Sequence, residues 1–225
     1  MALTMSYKRS QLENAIARIL EPGSKAPSVK LRTRIKRLLE LDRKLGRKPR
    51  SSDVEESNFA FFSEEAPGSG ADISFSEYEA FALLIGLSIM EHSWPQGFAV
   101  SVMRRVRPEL AREHARILRQ DPGQLFDREE IRKKARPGDL AVDNTDPVFL
   151  TVISGARAPD KTGTMPVSAV CRGFDAVNEF RQEMDASSFT MWEIATIAHR
   201  FSEQLRKTES RRRGRTIGRD RNAHD

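Results

Sequence analysis

The side chains that could carry out catalytic chemistry are few in this chain, and they lie far apart in sequence. The four histidines lack the short spacings of a metal site: His92, His114, His199 and His224. The single cysteine, Cys171, follows a run of β-type residues, so we expect an inert buried thiol rather than a nucleophile. One cysteine also excludes a disulfide framework and a thiolate metal cluster.

Aspartates near residues 139–160 raise the alternative of a metal-dependent nuclease, whose metal ions bind carboxylates: Asp139, Asp143, Asp146 and Asp160. The neighbouring turn residues Asn144, Pro147 and Gly155 explain the same aspartates as backbone-capping side chains. The segment GSGAD has no following Lys-Ser/Thr, so it is not a phosphate-binding loop. We therefore expect neither an enzyme nor a cofactor, and the nuclease is the less favoured alternative.

The charges of this basic chain are sorted into blocks. Residues 25–50 contain eleven Lys/Arg against two acids, residues 51–93 contain nine Asp/Glu and no Lys/Arg, and residues 206–225 contain eight Lys/Arg against three acids. Such blocks indicate contact with a polyanion through defined surfaces. The alternative is that the acidic and basic blocks neutralise each other within the fold.

The strongest candidate surface is an amphipathic helix over residues 29–47. Leu31, Ile35, Leu38 and Leu45 form its apolar stripe, and cations line both flanks. This is the electrostatic pattern of an element that lies on nucleic-acid phosphates, although long basic side chains also cover cores. The candidate nucleic-acid-binding residues here are Lys30, Arg32, Arg34, Lys36, Arg37, Arg43, Lys44, Arg47, Lys48 and Arg50.

A second basic segment follows the last predicted helix. Residues 208–225 have almost no apolar side chains, which predicts a disordered tail. Its clustered arginines make it a candidate nucleic-acid arm: Arg211, Arg212, Arg213 and Arg215.

The longest apolar-periodic run lies at residues 73–119 and predicts two helices that meet at a turn. Ser76 with Glu79 and Ser93 with Gln96 have the spacing of capping boxes. Ser10 with Glu13 predicts a third box on a helix over residues 6–20, and Ser28 is a predicted N-cap. Pro108 removes a backbone hydrogen bond, so we expect a kink or a break there.

Alternation in Asn58–Ser63 predicts a strand, and residues 72–75 are expected to pair with it as a β-hairpin. A helix, a basic helix, a hairpin and then FSEYEAFALLIGLSIMEHSWPQGFAVSVMRRV resemble the layout of MerR-type winged-helix regulators over about residues 28–107. The resemblance implies a winged-helix, helix-turn-helix fold for the N-terminal part. It also implies DNA binding.

After residue 137 the pattern changes. Short β-type runs at residues 140–142, 148–153 and 167–171 predict a small antiparallel sheet or hairpin, followed by helices over residues 174–184 and 189–206, with Ser188 as cap. We expect a predominantly helical α+β protein with a winged-helix-like domain over residues 1–136. A small α+β subdomain over residues 137–207 and the basic tail complete it.

The sequence is most typical of a DNA-binding protein of the transcription-regulator class, with double-stranded DNA favoured over RNA. Residues 137–207 would form a homodimer or receive a partner or ligand. A protein–protein adaptor that oligomerises through its charge blocks, without nucleic acid, is the main alternative. Because no apolar run is long enough to span a bilayer and residues 1–11 lack a signal-peptide core, a cytoplasmic protein without a membrane partner is expected.

Overall fold

The computed structural model describes residues 6–63, 73–136, 141–153, 167–186 and 188–208. These ranges contain nine helices: α1 Arg9–Leu20, α2 Val29–Leu45, α3 Val54–Ser57, α4 Glu77–Glu91, α5 Gln96–Ile117, α6 Pro122–Leu125, α7 Arg128–Lys134, α8 Gly173–Glu183 and α9 Ile194–Arg206. They also contain five strands: β1 Ser6–Lys8, β2 Ser74–Ser76, β3 Val148–Ile153, β4 Val167–Arg172 and β5 Thr190–Glu193. The expected mostly helical α+β class is confirmed.

Helix α4 forms the centre of the core, because ten of its fifteen residues are buried. Its predicted capping box is confirmed: Ser76 Oγ accepts from the Glu79 N–H at 3.2 Å, and Glu79 Oε2 accepts from the Ser76 N–H at 2.7 Å. Helices α1, α2, α5 and α9 all pack on α4. A helix that is apolar on nearly every side is stable only in such an environment.

A buried carboxylate joins α2, α5 and the segment Asn58–Ser63. Asp42 is fully buried, and its oxygens accept from the N–H groups of Ala60 at 3.1 Å and Phe61 at 3.0 Å. Arg104 of α5 donates to Asp42 twice, from Nε to Oδ1 and from Nη2 to the backbone carbonyl, both at 2.7 Å. These bonds supply the partners that a buried charge requires.

The same segment explains a glycine inside α4. A Cβ atom added to Gly86 would lie 2.9 Å from Cζ of Phe61, whose ring is fully buried. Real Cβ atoms do not come this close to another carbon, so glycine allows the Phe61 ring to pack directly on the α4 backbone. The hydrogen bond to Asp42 thus fixes the backbone of Phe61, and the missing side chain at Gly86 leaves room for its ring.

The predicted hairpin of Asn58–Ser63 with residues 72–75 is wrong. Asn58–Ser63 forms no strand, because the N–H groups of Ala60 and Phe61 bond to the Asp42 side chain instead of a neighbouring strand. Strand β2 pairs antiparallel with β1, with Phe75 opposite Tyr7. The winged-helix arrangement therefore stays a prediction from the MerR-type resemblance.

Two other predicted capping boxes are wrong, while the Ser28 cap is confirmed. Helix α1 begins at Arg9, and Gln11 rather than Glu13 completes the box by accepting from the Lys8 N–H. Ser93 has a positive φ of 66° and lies in the turn itself, while Pro95 is the N-cap residue of α5 and no side chain caps that helix end. Ser28 Oγ accepts from the Leu31 N–H at 3.0 Å.

Helix α5 continues through Pro108 without a break, so the predicted break is wrong. Proline costs a helix one hydrogen bond, but buried residues on both sides, Val106 and Leu110, hold α5 against the core. In addition, Tyr78 Oη donates to the carbonyl of Arg107 at 3.2 Å. The packing of α5 on the core therefore outweighs the hydrogen bond that Pro108 removes from the helix.

The predicted C-terminal sheet is confirmed with one change. The strands pair antiparallel in the order β4-β3-β5, and α8 covers one face of the sheet, where Phe149, Cys171 and Val177 form a small cluster. Residues 141–142 form no strand, and residues 190–193 form β5 instead of the first turn of the last helix. The cap of α9 is therefore Glu193 and not Ser188.

Buried side chains from both sides of residue 137 belong to one hydrophobic cluster, which includes Leu12 and Ile85 as well as Leu150 and Phe201. A polar link accompanies it: Glu113 of α5 accepts from Arg116 Nε at 2.8 Å and from Arg172 Nε of β4 at 2.9 Å. Burial alone would raise the pKa of Glu113, but these hydrogen bonds hold it below its usual range. The division at residue 137 stays a prediction.

Asp42→Ala is expected to lower the free energy of unfolding by about 3–5 kcal/mol, because it leaves Arg104 buried without a counter-charge. Chemical denaturation measures this loss. Asp53→Ala is the control, since Asp53 is an exposed N-cap whose removal costs about 1 kcal/mol. The double variant Asp42→Leu/Arg104→Met should be more stable than Asp42→Ala. A loss under about 1 kcal/mol for Asp42→Ala would contradict a central role.

Buried His114 stacks on Phe81 at 4.5 Å between ring centroids, and Tyr78 lies edge-on to it. Burial first, and His199 second, lower the pKa of His114 to about 4. The unfolded chain therefore binds this proton at a higher pH than the folded chain does. The contribution of neutral His114 to stability is complete above about pH 6.5 and is lost as pH falls toward 4.

We expect His114→Phe to remove about 3 kcal/mol of pH dependence from the free energy of unfolding between pH 7 and 4. The measurement is denaturant unfolding at several pH values. His92→Gln serves as the matched control, because His92 is exposed and its loss should leave the slope unchanged. Equal slopes for wild type and His114→Phe would show that His114 does not titrate in this range.

Candidate nucleic-acid interface

Helix α2 presents one face to the core and the rest to solvent. Leu31, Ile35, Leu38, Leu39 and Asp42 are its buried residues. At the C-terminal end of α2, Gly46 adopts a φ of +62°, a conformation that favours glycine. Its N–H donates to the carbonyl of Arg43. The chain therefore turns away after Leu45 and continues to Arg50.

Four of the ten predicted cations form ion pairs with acids of the same chain. Arg34 binds Glu91, Lys48 binds Glu56 at 2.9 Å, Lys36 lies 3.6 Å from Glu40, and Arg32 lies 3.8 Å from Glu13. Two of these partners, Glu56 and Glu91, belong to the acidic block. Part of the basic block is thus neutralised within the fold, as the alternative interpretation expected.

Two further arginines cover aromatic rings. The guanidinium of Arg43 lies 6.0 Å from the centre of the Phe62 ring, and that of Arg47 lies 5.6 Å from the centre of the Phe59 ring. Both arginines are only partly exposed, and their Nε atoms are buried without a hydrogen-bond partner among the described residues. Cation–π contact therefore gives Arg43 and Arg47 a role in packing.

The remaining four cations are exposed and form no ion pair within the described part of the chain: Lys30, Arg37, Lys44 and Arg50. Three of them, Lys30, Arg37 and Lys44, are seven residues apart, which places them on one side of α2 about 10 Å apart along its axis. We call Lys30, Arg37, Lys44 and Arg50 the open flank. It is the part of the predicted site that is free to bind an anion.

The tail arginines of the predicted site, Arg211, Arg212, Arg213 and Arg215, lie outside the described residues, as does His224. Among the residues that are described, no group of three His, Cys, Asp or Glu could hold a metal ion. Burial raises the pKa of the Cys171 thiol, which fits an unreactive cysteine. Asp139 and Asp160, two of the four nuclease aspartates, also lie outside the described ranges.

The other two aspartates differ in their surroundings. Asp146 accepts from Arg116 and Gln120, both at 2.7 Å, and these bonds lower its pKa although burial opposes the shift. Asp143 is 85% exposed and lies 4.0 Å from Arg200. Hydrogen bonds from Arg116 and Gln120 give Asp146 a structural role, so these two side chains do not form a paired carboxylate site.

Comparison with protein-family models, curated proteins and solved structures finds no match to this chain. None of the described helices is both long and apolar enough to cross a membrane.

The structure also forms a cleft that the sequence interpretation missed. It has a volume of about 960 Å³ and lies between α7 and α9, beside the end of α5. Four arginines line it: Arg128, Arg132, Arg200 and Arg206. The i, i+4 spacing of Arg128 and Arg132 is the only local signal, and it is equally typical of a solvated helix face. Nothing local indicates that α7 and α9 face the same cleft.

Proposed function

We propose that this protein binds double-stranded DNA through the open flank of α2 and acts as a transcriptional regulator. The observation that carries the proposal is the set of exposed, unpaired cations at Lys30, Arg37 and Lys44, with Arg50 beyond the helix. Unlike Arg34 or Lys48, these side chains form no ion pair within the described residues, although Lys30 lies near enough to Glu21 to help lower the pKa of that carboxyl group, after the hydrogen bonds from Ser28.

The chemistry of the open flank suits phosphate groups. Neutralising phosphates with Lys and Arg releases counterions, and this release supplies most of the affinity for duplex DNA. The exposed Thr33 lies on the same side of the helix, and its hydroxyl group, which donates to the Val29 carbonyl at 2.8 Å, can still accept a hydrogen bond from a base edge. A helix fits the major groove of B-form DNA but not the deep, narrow major groove of A-form RNA, which favours DNA as the partner.

Replacing the three helical cations together tests this proposal. We expect Lys30→Gln/Arg37→Gln/Lys44→Gln to weaken binding and to reduce the slope of log K against log salt by about 2.7, because three phosphate contacts are lost. Glutamine keeps the helix propensity. Arg34 is left unchanged because it pairs with Glu91. The measurement is fluorescence anisotropy with random duplex DNA between about 50 and 200 mM salt.

The control is Arg112→Gln/Arg119→Gln/Lys207→Gln, which removes the same charge from exposed positions on α5, just after α5 and just after α9. Unlike the open flank, Arg112 and Lys207 have carboxylate partners, Glu109 and Glu203. It should keep more affinity than the α2 variant. Equal losses in the two variants would mean that net charge rather than the open flank decides binding. Oligomerisation that depends on salt, without any affinity for DNA, would favour the adaptor function instead.

Shortening the chain separates the folded part from the basic tail. The shortened chain should end at Thr208, because Thr208 is buried and its carbonyl accepts from Gln11 Nε2 at 3.1 Å. If the four tail arginines each neutralise one phosphate, the salt slope should fall by about 3.6. The remaining binding should still be sensitive to the α2 substitutions. Complete loss of binding in the shortened chain would move the interface from α2 to the tail.

A further inference from the structure

Hydrogen bonds join the loop at residues 141–147 to the three helices around the cleft, α6, α7 and α9. Asn144, which is buried, donates to Thr196 Oγ1 of α9 at 3.1 Å, and Thr145 donates its N–H to the Leu125 carbonyl of α6 at 2.8 Å. Lys134 of α7 donates to the carbonyl of Thr145 at 3.1 Å. The loop at residues 141–147 therefore fixes α7 and α9 relative to each other, and the cleft exists before any ligand binds.

The cleft has an excess of positive charge. Arg128, Arg132 and Arg206 form no ion pair with any described residue, and Arg200 lies 4.0 Å from Asp143. The other acid in the lining, Glu203, is bound to Lys207. Four guanidinium groups around one cavity repel each other, and an anion placed between them would relieve this repulsion. Their planar forks suit phosphate and carboxylate oxygens.

The lining also contains apolar and aromatic side chains. Phe126 and Ile131 come from the α6–α7 segment, and Leu118 and Val142 complete this part of the surface. His199 lies edge-on to Phe126, with 5.5 Å between ring centres, and its Nε2 is 3.0 Å from the carbonyl of Ile117. This contact fixes the His199 ring and leaves the Phe126 ring as part of the cleft wall. A molecule in the cleft can therefore contact both guanidinium groups and apolar side chains.

We propose that this cleft binds a small organic polyanion, with two or more phosphate or carboxylate groups on an aromatic or apolar body. The arginines of α7 and α9 bind the anionic groups from opposite sides, and Phe126 and Ile131 contact the body. The volume of about 960 Å³ suits a ligand of this size. The proposal is independent of DNA binding, because the cleft and the open flank share no residue.

The test uses isothermal titration of the full chain with four probes at up to millimolar concentration. ATP and benzene-1,3,5-tricarboxylate carry charge on an aromatic body, pyrophosphate carries charge alone, and adenosine lacks the charge. We expect at least one of the first two to bind, pyrophosphate to bind more weakly, and adenosine not to bind. Which of the two binds distinguishes phosphate from carboxylate. No binding by either would overturn the proposal.

The variants to compare are Arg132→Gln/Arg200→Gln, on α7 and α9, and Arg112→Gln/Arg119→Gln, on α5 and just after it, neither of which lines the cleft. All four arginines are exposed, so neither pair should disturb folding. We expect the first pair to raise the Kd of the bound probe at least roughly tenfold and the second to leave it unchanged. Equal effects of the two pairs would overturn the site. Pyrophosphate binding as tightly as the aromatic anions would overturn the role of Phe126 and Ile131.

Duplex DNA provides the last comparison. If Arg132→Gln/Arg200→Gln weakens DNA binding while no small anion binds, the cleft is part of a nucleic-acid surface and the proposal is overturned. If small-anion binding is lost in this variant while the DNA affinity is kept, the cleft is a ligand site separate from the open flank. The open-flank variant Lys30→Gln/Arg37→Gln/Lys44→Gln should bind the small anion normally.

Discussion

The buried Asp42 carboxylate requires a counter-charge and hydrogen-bond donors from the rest of the fold, because a charge without partners in the interior costs several kcal/mol. Arg104 supplies the counter-charge, and the N–H groups of Ala60 and Phe61 supply the remaining bonds. Three chain segments must therefore meet at one point. Arg107 continues the same arrangement by donating to the carbonyls of Phe59 and Ala60, both at 3.0 Å. The segment Asn58–Ser63 is thus fixed without belonging to a sheet.

This arrangement also determines which cations of α2 remain available. Arg43 and Arg47 lie over the rings of Phe62 and Phe59, which the Asp42 network holds in position. Arg34 and Lys48 face carboxylates that follow in the acidic block. A helix that looks uniformly basic in sequence is therefore divided by its tertiary contacts into neutralised, packed and open positions. The net charge of the basic block overstates the charge that a partner would meet.

Short sequence spacings correctly predicted the features that depend on interactions between residues close in sequence. The Ser76–Glu79 box, the Ser28 cap and the buried character of α4 follow from short spacings, and the structure confirms them. The failures at Asn58–Ser63, β1 and β5 share a cause: their partners are distant in sequence. Asp42 satisfies Ala60 across 18 positions, and Tyr7 pairs with Phe75. The arginines of the cleft were missed for the same reason, since the loop at residues 141–147 joins α7 and α9 through bonds between residues distant in sequence.

Helix α1 packs on α9, and Gln11 bonds to a carbonyl 197 positions later. At about 5–20 residues per second, a ribosome needs roughly 10–40 s to add that stretch. During this time α1 can already pack on α2 and α4, but the surface of α9 has not been synthesised. Contacts this far apart also slow folding after release. The nascent chain therefore passes through a period in which the part of α1 that later packs on α9 is exposed.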